Sequence, residues 1–396
     1  MAVRTGLLLW VADAAGPRVF GRLALCVATT ELLRIACDFG TQTLFVRRFA
    51  QFRLLEEGQK QLIALARFRA VATAVGVGLY LGIVGAVFGA TLGRIELLTC
   101  ALLVTALAIS FPLTFFQAKL EVHKAIGPVL GCAVLYIGYF ATSYGHSIFA
   151  DIVGLVVYES VAALILVAMV LKEMQLKARD LFAWKSSVSL LPIVRESLPI
   201  MGGTFVSTVY TRVDVFAVKA IAGALALGLY SYAFRLTEPF RYLALAIESS
   251  LYSHLASRVT IRSSDPPNFR LIEKLVLTYA LAFSVLAYIT GIVATRFVFS
   301  EYVAASDTIL ILSCALFFRC VNGYQTAFQN ALGKYRLTAR FSLVGLVVTC
   351  MLIYPLTKWM GFLGAALTLF IMEFVNFLVQ RHFYRSALVA IARGTT

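Results

Sequence analysis

The chain is short of charge. Only 14% of its 396 residues are Asp, Glu, Lys or Arg, whereas a soluble domain needs a polar shell of about a quarter charged residues. The hydrophobic share is 60% and the mean hydropathy is +0.86. These values disfavour a soluble enzyme, a secreted disulfide scaffold and a nucleic-acid-binding domain, and they place most of the chain in a lipid bilayer.

Catalytic and metal-binding motifs are also missing. The sequence contains no GxxxxGK[ST], GxGxxG, HExxH or GxSxG. Its four histidines lie at or near the ends of predicted helices, and its seven cysteines form no CxxC and no Cys/His pair, so they are interpreted as small packing residues. We therefore predict no enzyme activity, no cofactor and no metal site.

Long apolar runs are abundant and indicate an all-α polytopic membrane protein with about twelve transmembrane helices. A β-barrel is disfavoured because the runs are continuous and do not alternate. After a short run at 2–13, the predicted spans are 21–46, 68–92, 97–118, 127–147, 148–171, 196–221, 225–256, 272–299, 304–331, 337–356 and 360–384.

The net charge of +15 is interpreted as a topology signal. Twenty-four of the 35 basic residues fall at the N-terminus, in the loops after even-numbered spans or in the C-terminal tail, against six in the loops after odd-numbered spans. Cytoplasmic loops carry the excess of Lys and Arg, so both termini are predicted to be cytoplasmic and nucleic acid is not needed as a partner.

An internal repeat divides the chain into two halves. A shift of 207 residues superimposes the pattern A-G-x4-G-x8-T-E-x2-R of Ala15 to Arg34 on Ala222 to Arg241. We expect two six-helix bundles, 1–173 and 194–396, related by a parallel pseudo-twofold repeat and joined by an amphipathic cytoplasmic linker at 174–193. Because the run at 2–13 is too short to span a bilayer, the first helix is expected to be incomplete.

Ionisable residues at membrane depth are costly unless they face a cavity or each other. Local pairs such as Glu31–Arg34 and Glu238–Arg241 are one interpretation, and a polar cavity between the halves is the other. If the cavity exists, we predict that five arginines at membrane depth form an anion-binding site in it: Arg34, Arg212, Arg235, Arg241 and Arg319.

Other side chains extend that hypothesis. Candidates for coupling transport to an ion gradient are Asp38, Asp214, Glu238 and Glu31. The aromatics Tyr230, Tyr232 and Phe234 are candidates for stacking on sugar rings, with an interfacial aromatic belt as the alternative. The spacing Gly78-x3-Gly82 predicts close helix packing in the third span.

Three stretches carry a family resemblance. Residues 15–51 and 198–236, with "FFQAKLEVHK" at 115–124, resemble the polysaccharide and O-antigen flippases (Wzx-like) of the multidrug/oligosaccharidyl-lipid/polysaccharide superfamily. Asp214 takes the place of an Asp common in that family. The resemblance implies two six-helix bundles around a central cavity lined by helices one, two, seven and eight.

It also implies a function: translocation of undecaprenyl-pyrophosphate-linked oligosaccharide across the bacterial inner membrane for O-antigen or exopolysaccharide synthesis. Implied partners are the lipid-linked oligosaccharide, membrane lipid, and polysaccharide polymerase and chain-length proteins. The alternatives are a cation-coupled multidrug exporter, a membrane polymerase or ligase, and a non-transporting assembly scaffold. An arginine-rich cavity disfavours the exporter, and short outer loops disfavour the enzyme.

Overall fold

The computed structural model describes residues 2–42, 44–45, 55–88, 93–119, 121–142, 148–177, 179–180, 191–210, 212–260, 269–332 and 334–392. In these ranges the regular structure is entirely helical. The helices are α1 (Ala2–Asp38), α2 (Leu55–Phe88), α3 (Arg94–Ala118), α4 (Val122–Thr142), α5 (Ile148–Glu173), α6 (Leu191–Tyr210), α7 (Val213–Thr260), α8 (Phe269–Phe297), α9 (Ser306–Ala331), α10 (Tyr335–Met360) and α11 (Phe362–Ala392), with a 3-10 turn at Ser300–Ala305.

Helices suit an apolar chain because each one satisfies its backbone hydrogen bonds internally, which a bilayer requires. Within the described residues, nine helical segments are long and apolar enough to cross a membrane. Large apolar side chains also point outward. Leu135 and Leu164, for example, are 75% and 69% exposed, which suits contact with lipid and not with water. The protein is a polytopic membrane protein, as predicted.

Two of the helices contain a break at equivalent positions. Gly16 in α1 has φ 72° and ψ 167°, and Gly223 in α7 has φ 87° and ψ −176°. Such positive φ values favour glycine, which has no Cβ. The two residues are related by the 207-residue shift, so the repeat is expressed in the backbone. The break at Gly16 separates the predicted run at 2–13 from the span 21–46, and the break at Gly223 separates the span 196–221 from the span 225–256. The span 196–221 combines α6 with the part of α7 before Gly223, so the eleven helices correspond to the twelve predicted segments.

Internal contacts divide the chain into two units. The first comprises Val3–Leu8 and Leu25–Thr208. One of its cores packs α1 against α2 and α3, with Tyr80 and Leu103 fully buried. A second joins α2, α3, α5 and the start of α6 around Phe115 and Phe116. The structure describes only part of the predicted linker at 174–193, and residues 178 and 181–190 lie outside the described residues.

The second unit comprises Leu9–Ala24 and Val209–Thr396. Its core packs α9 against α7, α8 and α11, with Phe328 and Tyr384 in edge contact at 4.8 Å. The stretch of α1 around its break, Leu9–Ala24, belongs to this unit. Tyr302 donates a hydrogen bond to the carbonyl of Ala12 at 2.8 Å, and its ring meets Phe20 edge-on.

Two expectations about α2 are wrong. The helix begins at Leu55, more than three turns before the predicted start at 68, so Arg67 lies inside it and not in the preceding loop, and Arg69 lies well away from its end. A Cβ added to Gly78 or Gly82 would meet no atom within 4 Å, so these glycines make no close helix contact.

Candidate functional site

A charged cavity of about 190 Å³ lies within the second unit. Three helices supply most of its wall, and the break between α6 and α7 supplies one arginine. Its lining residues are Arg212, Phe234, Thr237, Glu238, Arg241, Tyr242, Leu245, Leu312, Ala315, Leu316, Arg319, Leu369 and Glu373.

Helical periodicity explains why these side chains meet. On α7, Thr237, Glu238 and Arg241 follow one another at i, i+1 and i+4, so they share a face. On α9 the lining positions 312, 315, 316 and 319 form the same kind of stripe, and on α11 the positions 369 and 373 are one turn apart. Three arginines and two glutamates thus converge on a small space.

Arg241 is held by an acidic residue two turns along α7. Its Nη1 donates to Glu248 Oε1 at 2.5 Å, and Glu248 is 6% exposed. The Glu248 carboxylate lies directly on α9, since a Cβ at Gly323 would come within 2.2 Å of Glu248 Oε1. Glycine at this position therefore makes room for the carboxylate that anchors Arg241.

Arg319 and Glu373 form a looser pair. The Nε of Arg319 lies 3.5 Å from Glu373 Oε1, beyond the usual length of a charge-assisted hydrogen bond of about 2.7–2.9 Å. The other carboxylate oxygen of Glu373 accepts a bond from Asn322 Nδ2 at 2.8 Å. Arg319 has five N–H donors, so this contact leaves it capacity to bind an anion.

Glu238 draws two arginines together. Its carboxylate accepts a bond from Arg235 Nη1 at 2.7 Å and lies 3.6 Å from Arg212 Nη2. The Arg212 guanidinium also lies over the ring of Phe234, 5.3 Å from its centroid. Arg241 is not the partner of Glu238, so the predicted local pair Glu238–Arg241 is replaced by Arg241–Glu248.

Asp214 is fully enclosed at the start of α7. Its carboxylate accepts hydrogen bonds from the Tyr230 hydroxyl and from the backbone N–H of Val215, the latter at 2.8 Å. A buried carboxylate needs such donors to compensate for the loss of water. The exposed fraction of Asp214 is 5% and that of Tyr230 is zero.

Two of the three aromatic candidates do not face the cavity. Tyr230 is committed to Asp214, and the ring of Tyr232 is fully buried against Tyr302 at 4.2 Å between centroids, with its hydroxyl 3.2 Å from Thr295 Oγ1. These rings have no face available to a sugar. Phe234 lines the cavity, and the Arg212 guanidinium lies over its ring.

The first unit contains a separate buried charge pair. Arg69 donates to Asp38 Oδ1 at 2.7 Å and to Ser110 Oγ at 2.6 Å, with Thr114 Oγ1 at 3.3 Å. Arg69 is 4% exposed. The positive-inside count takes Arg69, at the edge of the predicted span 68–92, as a loop residue. The apolar sequence on both sides of Arg69 is the signal that the helix starts earlier.

Arg34 and Glu31 lie elsewhere. Both are half-buried on the part of α1 that belongs to the first unit, and neither lines the charged cavity. Their counterparts in the repeat, Arg241 and Glu238, do line it. The repeated T-E-x2-R motif therefore has a different setting in each half.

The fold and this cavity define a polytopic helical membrane protein with a buried, arginine-lined cavity. Similar folds are known. An inward-facing multidrug resistance MATE family transporter of the MOP superfamily matches with a TM-score of 0.76 at 14% identity, over 100% of this chain and 96% of that one. The lipid II flippase MurJ, in an inward closed conformation, matches with a TM-score of 0.74 at 14% identity, over 97% and 85%. A MOP superfamily transporter from Pyrococcus furiosus matches with a TM-score of 0.64 at 16% identity, over 99% and 93%.

Sequence comparison identifies the family. Residues 10–252 match the model of the family described as "Polysaccharide biosynthesis protein". That match covers more than half of the chain, so the chain belongs to this family. A search of curated protein sequences gave no significant match.

Proposed function

We propose that the protein is a flippase that translocates a pyrophosphate-linked oligosaccharide lipid across the bacterial inner membrane, and that the charged cavity binds the pyrophosphate. The observation that carries the proposal is the convergence of Arg212, Arg241 and Arg319 on one buried cavity. Guanidinium groups bind phosphate oxygens through paired N–H donors. Membership of a polysaccharide biosynthesis family supports the oligosaccharide part.

The cavity is small, at about 190 Å³, and its lining is charged. A pyrophosphate group is compact and carries the negative charge that guanidinium groups bind. In this proposal the pyrophosphate enters the cavity, and the sugars and the prenyl tail stay outside it. Phe234 supports the Arg212 guanidinium, which lies over its ring.

The balance of charge favours an anion over a cationic drug. The lining holds three arginines against two glutamates. Outside the lining, Glu248 pairs with Arg241 and Arg235 pairs with Glu238, so the whole group of four arginines and three glutamates keeps a net charge of +1. Arg319 keeps donors that Glu373 does not use. A cation-coupled drug exporter of the same superfamily, the main alternative, needs a cavity that attracts cations. A non-transporting assembly scaffold needs no cavity at all.

The test is translocation in proteoliposomes. A fluorescent undecaprenyl-pyrophosphate-linked oligosaccharide is incorporated, and the fraction inaccessible to an external glycosidase is followed over time. We expect transport by the wild-type protein and a loss of at least tenfold in Arg319→Gln and Arg241→Gln, since a hydrogen bond to a charged group contributes about 1.5–3 kcal/mol. Arg270→Gln, an exposed residue at the start of α8, is the control and should retain the wild-type rate.

Three outcomes would contradict the proposal. Ethidium transport without lipid translocation would favour the exporter. Folded protein that moves neither substrate would favour the scaffold. The third outcome concerns a flippase-null strain that expresses the double variant Arg34→Ala, Arg241→Ala at wild-type levels. Normal surface polysaccharide in that strain would show that transport does not need these arginines.

A further inference from the structure

A second cavity lies between α4 and α5 in the first unit and has no role in the proposed transport. It is a crevice of about 630 Å³, within the range of ordinary ligand sites. Its lining is apolar or aromatic throughout: Cys132, Leu135, Tyr136, Tyr139, Phe149, Ala150, Val153, Gly154, Val157, Tyr158 and Val161.

Tyrosine rings give this crevice a defined floor. Tyr136 and Tyr158 stack at 5.7 Å with an interplanar angle of 23°, and Tyr136 donates its hydroxyl hydrogen to the carbonyl of Asp151 at 3.0 Å. Gly154 lets the rings approach α5, since a Cβ there would come within 2.8 Å of Tyr139 Cε1. The walls stay open to the surroundings, with Leu135 75% and Val157 54% exposed.

The crevice is about one leaflet deep. Along α5 its lining runs from Phe149 to Val161, and the twelve steps between them, at a rise of about 1.5 Å each, give about 18 Å. Half of a hydrocarbon core of about 30 Å is about 15 Å. A chain in this crevice would therefore begin at the membrane surface and end near the midplane.

An arginine side chain lies at the end of the crevice that is nearest the membrane surface. Phe149, the first lining residue of α5, is covered by the guanidinium of Arg94, 5.9 Å from the ring centroid. Arg94 begins α3 and is exposed. It is one of the six basic residues on the side that the charge distribution assigns to the outer surface. The crevice thus combines an apolar trough of leaflet depth with an arginine at its mouth.

We propose that this crevice binds an anionic phospholipid of the surrounding bilayer, with its phosphate on Arg94 and one acyl chain against Tyr136 and Tyr139. Arginine binds phosphate oxygens through paired N–H donors. The Arg94 guanidinium beside Phe149 therefore offers a phosphate site next to the crevice. The depth favours an acyl chain, which ends near the midplane, over a long polyprenyl carrier, which would extend beyond the crevice.

The experiment is photocrosslinking in nanodiscs. The full chain is reconstituted with phosphatidylglycerol or phosphatidylcholine that carries a diazirine at the middle of one acyl chain, and labelled residues are mapped by mass spectrometry. We expect labels on the lining residues of α4 and α5, at least fivefold stronger with phosphatidylglycerol. Arg94→Gln should remove that preference, and Arg296→Gln, an exposed arginine at the end of α8, should keep it.

A second pair of variants tests the trough itself. Val157→Trp fills the crevice and should abolish labelling of its lining. Leu164→Trp, on the same helix but outside the lining and 69% exposed, should not. Both variants replace an exposed apolar side chain with another apolar one, so we expect both to fold, and size-exclusion chromatography of each checks it. Equal labelling by the two lipids, labelling unchanged in Val157→Trp, stronger competition by a polyprenyl phosphate, or crosslinks between two copies through α4 and α5 would each overturn the proposal.

Discussion

Gly21 and Gly228 mark a reciprocal backbone contact in the second unit. A Cβ on Gly21 would lie 2.0 Å from the carbonyl oxygen of Ala224, and a Cβ on Gly228 would lie 1.9 Å from the carbonyl oxygen of Pro17. The 207-residue shift relates Pro17 to Ala224 and Gly21 to Gly228. The carbonyl group of Pro17 in α1 therefore packs against Gly228 in α7, and the carbonyl group of Ala224 in α7 packs against Gly21 in α1. This exchange relates the two helices by a local twofold axis.

We predict that Gly228→Ala destabilises the protein by about 1–3 kcal/mol, because a methyl group at 1.9 Å from a backbone atom forces the helices apart. Gly21→Ala should behave alike, since its surroundings are equivalent. The measurement is thermal unfolding in detergent, followed by circular dichroism.

The matched control is Gly82→Ala in α2, where an added Cβ would meet no atom within 4 Å. It should be neutral or slightly stabilising, because alanine favours a helix over glycine by about 0.5–1 kcal/mol. Equal melting temperatures for Gly228→Ala and Gly82→Ala would contradict the assignment of Gly228 to a close contact.

These glycines also show what the sequence can and cannot predict. Gly21 and Gly228 stand out because they recur in a repeat, and recurrence reports a shared backbone requirement. Gly78 and Gly82 were chosen from their spacing alone, and the structure leaves them open. Small residues at four-residue intervals permit close packing but do not require it. The apolar runs predict the helices, and the recurring motif predicts the repeat. Which residues touch each other depends on tertiary packing, which these patterns do not report.

Arg69 and Asp38 provide a second test. Either single replacement, Arg69→Leu or Asp38→Asn, leaves a buried polar partner unmatched, and we expect a loss of about 3 kcal/mol in unfolding free energy. The double variant Arg69→Leu, Asp38→Asn removes both charges and should recover part of that loss. Chemical unfolding of the four proteins gives the coupling energy.

Additivity within about 0.5 kcal/mol would mean that the two side chains do not act together. A suitable control is Lys124→Gln in an exposed ion pair with Glu121, where we expect little change. If Asp38 is an ion-coupling residue, as the sequence predicts, Asp38→Asn should also lose transport while the stabilised double variant stays inactive.

The candidate site was predictable in its residue types and not in its grouping. Arg212, Arg241 and Arg319 were singled out as charges at membrane depth, and they do line one cavity. Arg34 carries the same motif but lies in another unit, because the repeat gives equivalent helices different neighbours. Glu373, which pairs with Arg319, is a charge inside the predicted span 360–384, yet the sequence contains no information on which helix it faces.

Gly323→Ala should disturb the cavity without changing any charge. A Cβ at this position would come within 2.2–2.3 Å of all three carboxyl atoms of Glu248, so the carboxylate must move and Arg241 loses its anchor. We expect at least a threefold loss of lipid translocation with the protein still folded. Gly131→Ala in α4, where the added methyl group meets nothing within 4 Å, should transport at the wild-type rate. A wild-type rate in Gly323→Ala would show that the position of Glu248 does not matter.

Replacing Glu373 and replacing Arg319 should have different effects on the affinity of the cavity for an anion. Glu373→Gln removes a negative charge 3.5 Å from Arg319 while keeping an oxygen for Asn322, so pyrophosphate should bind at least as tightly as in the wild-type protein. Arg319→Gln should weaken binding about tenfold or more, and the effect of added salt should decrease because one cation is lost. Calorimetry with inorganic pyrophosphate at two ionic strengths measures both. Weaker binding in both variants, by the same factor, would indicate that the pair maintains the shape of the cavity and does not supply its charge.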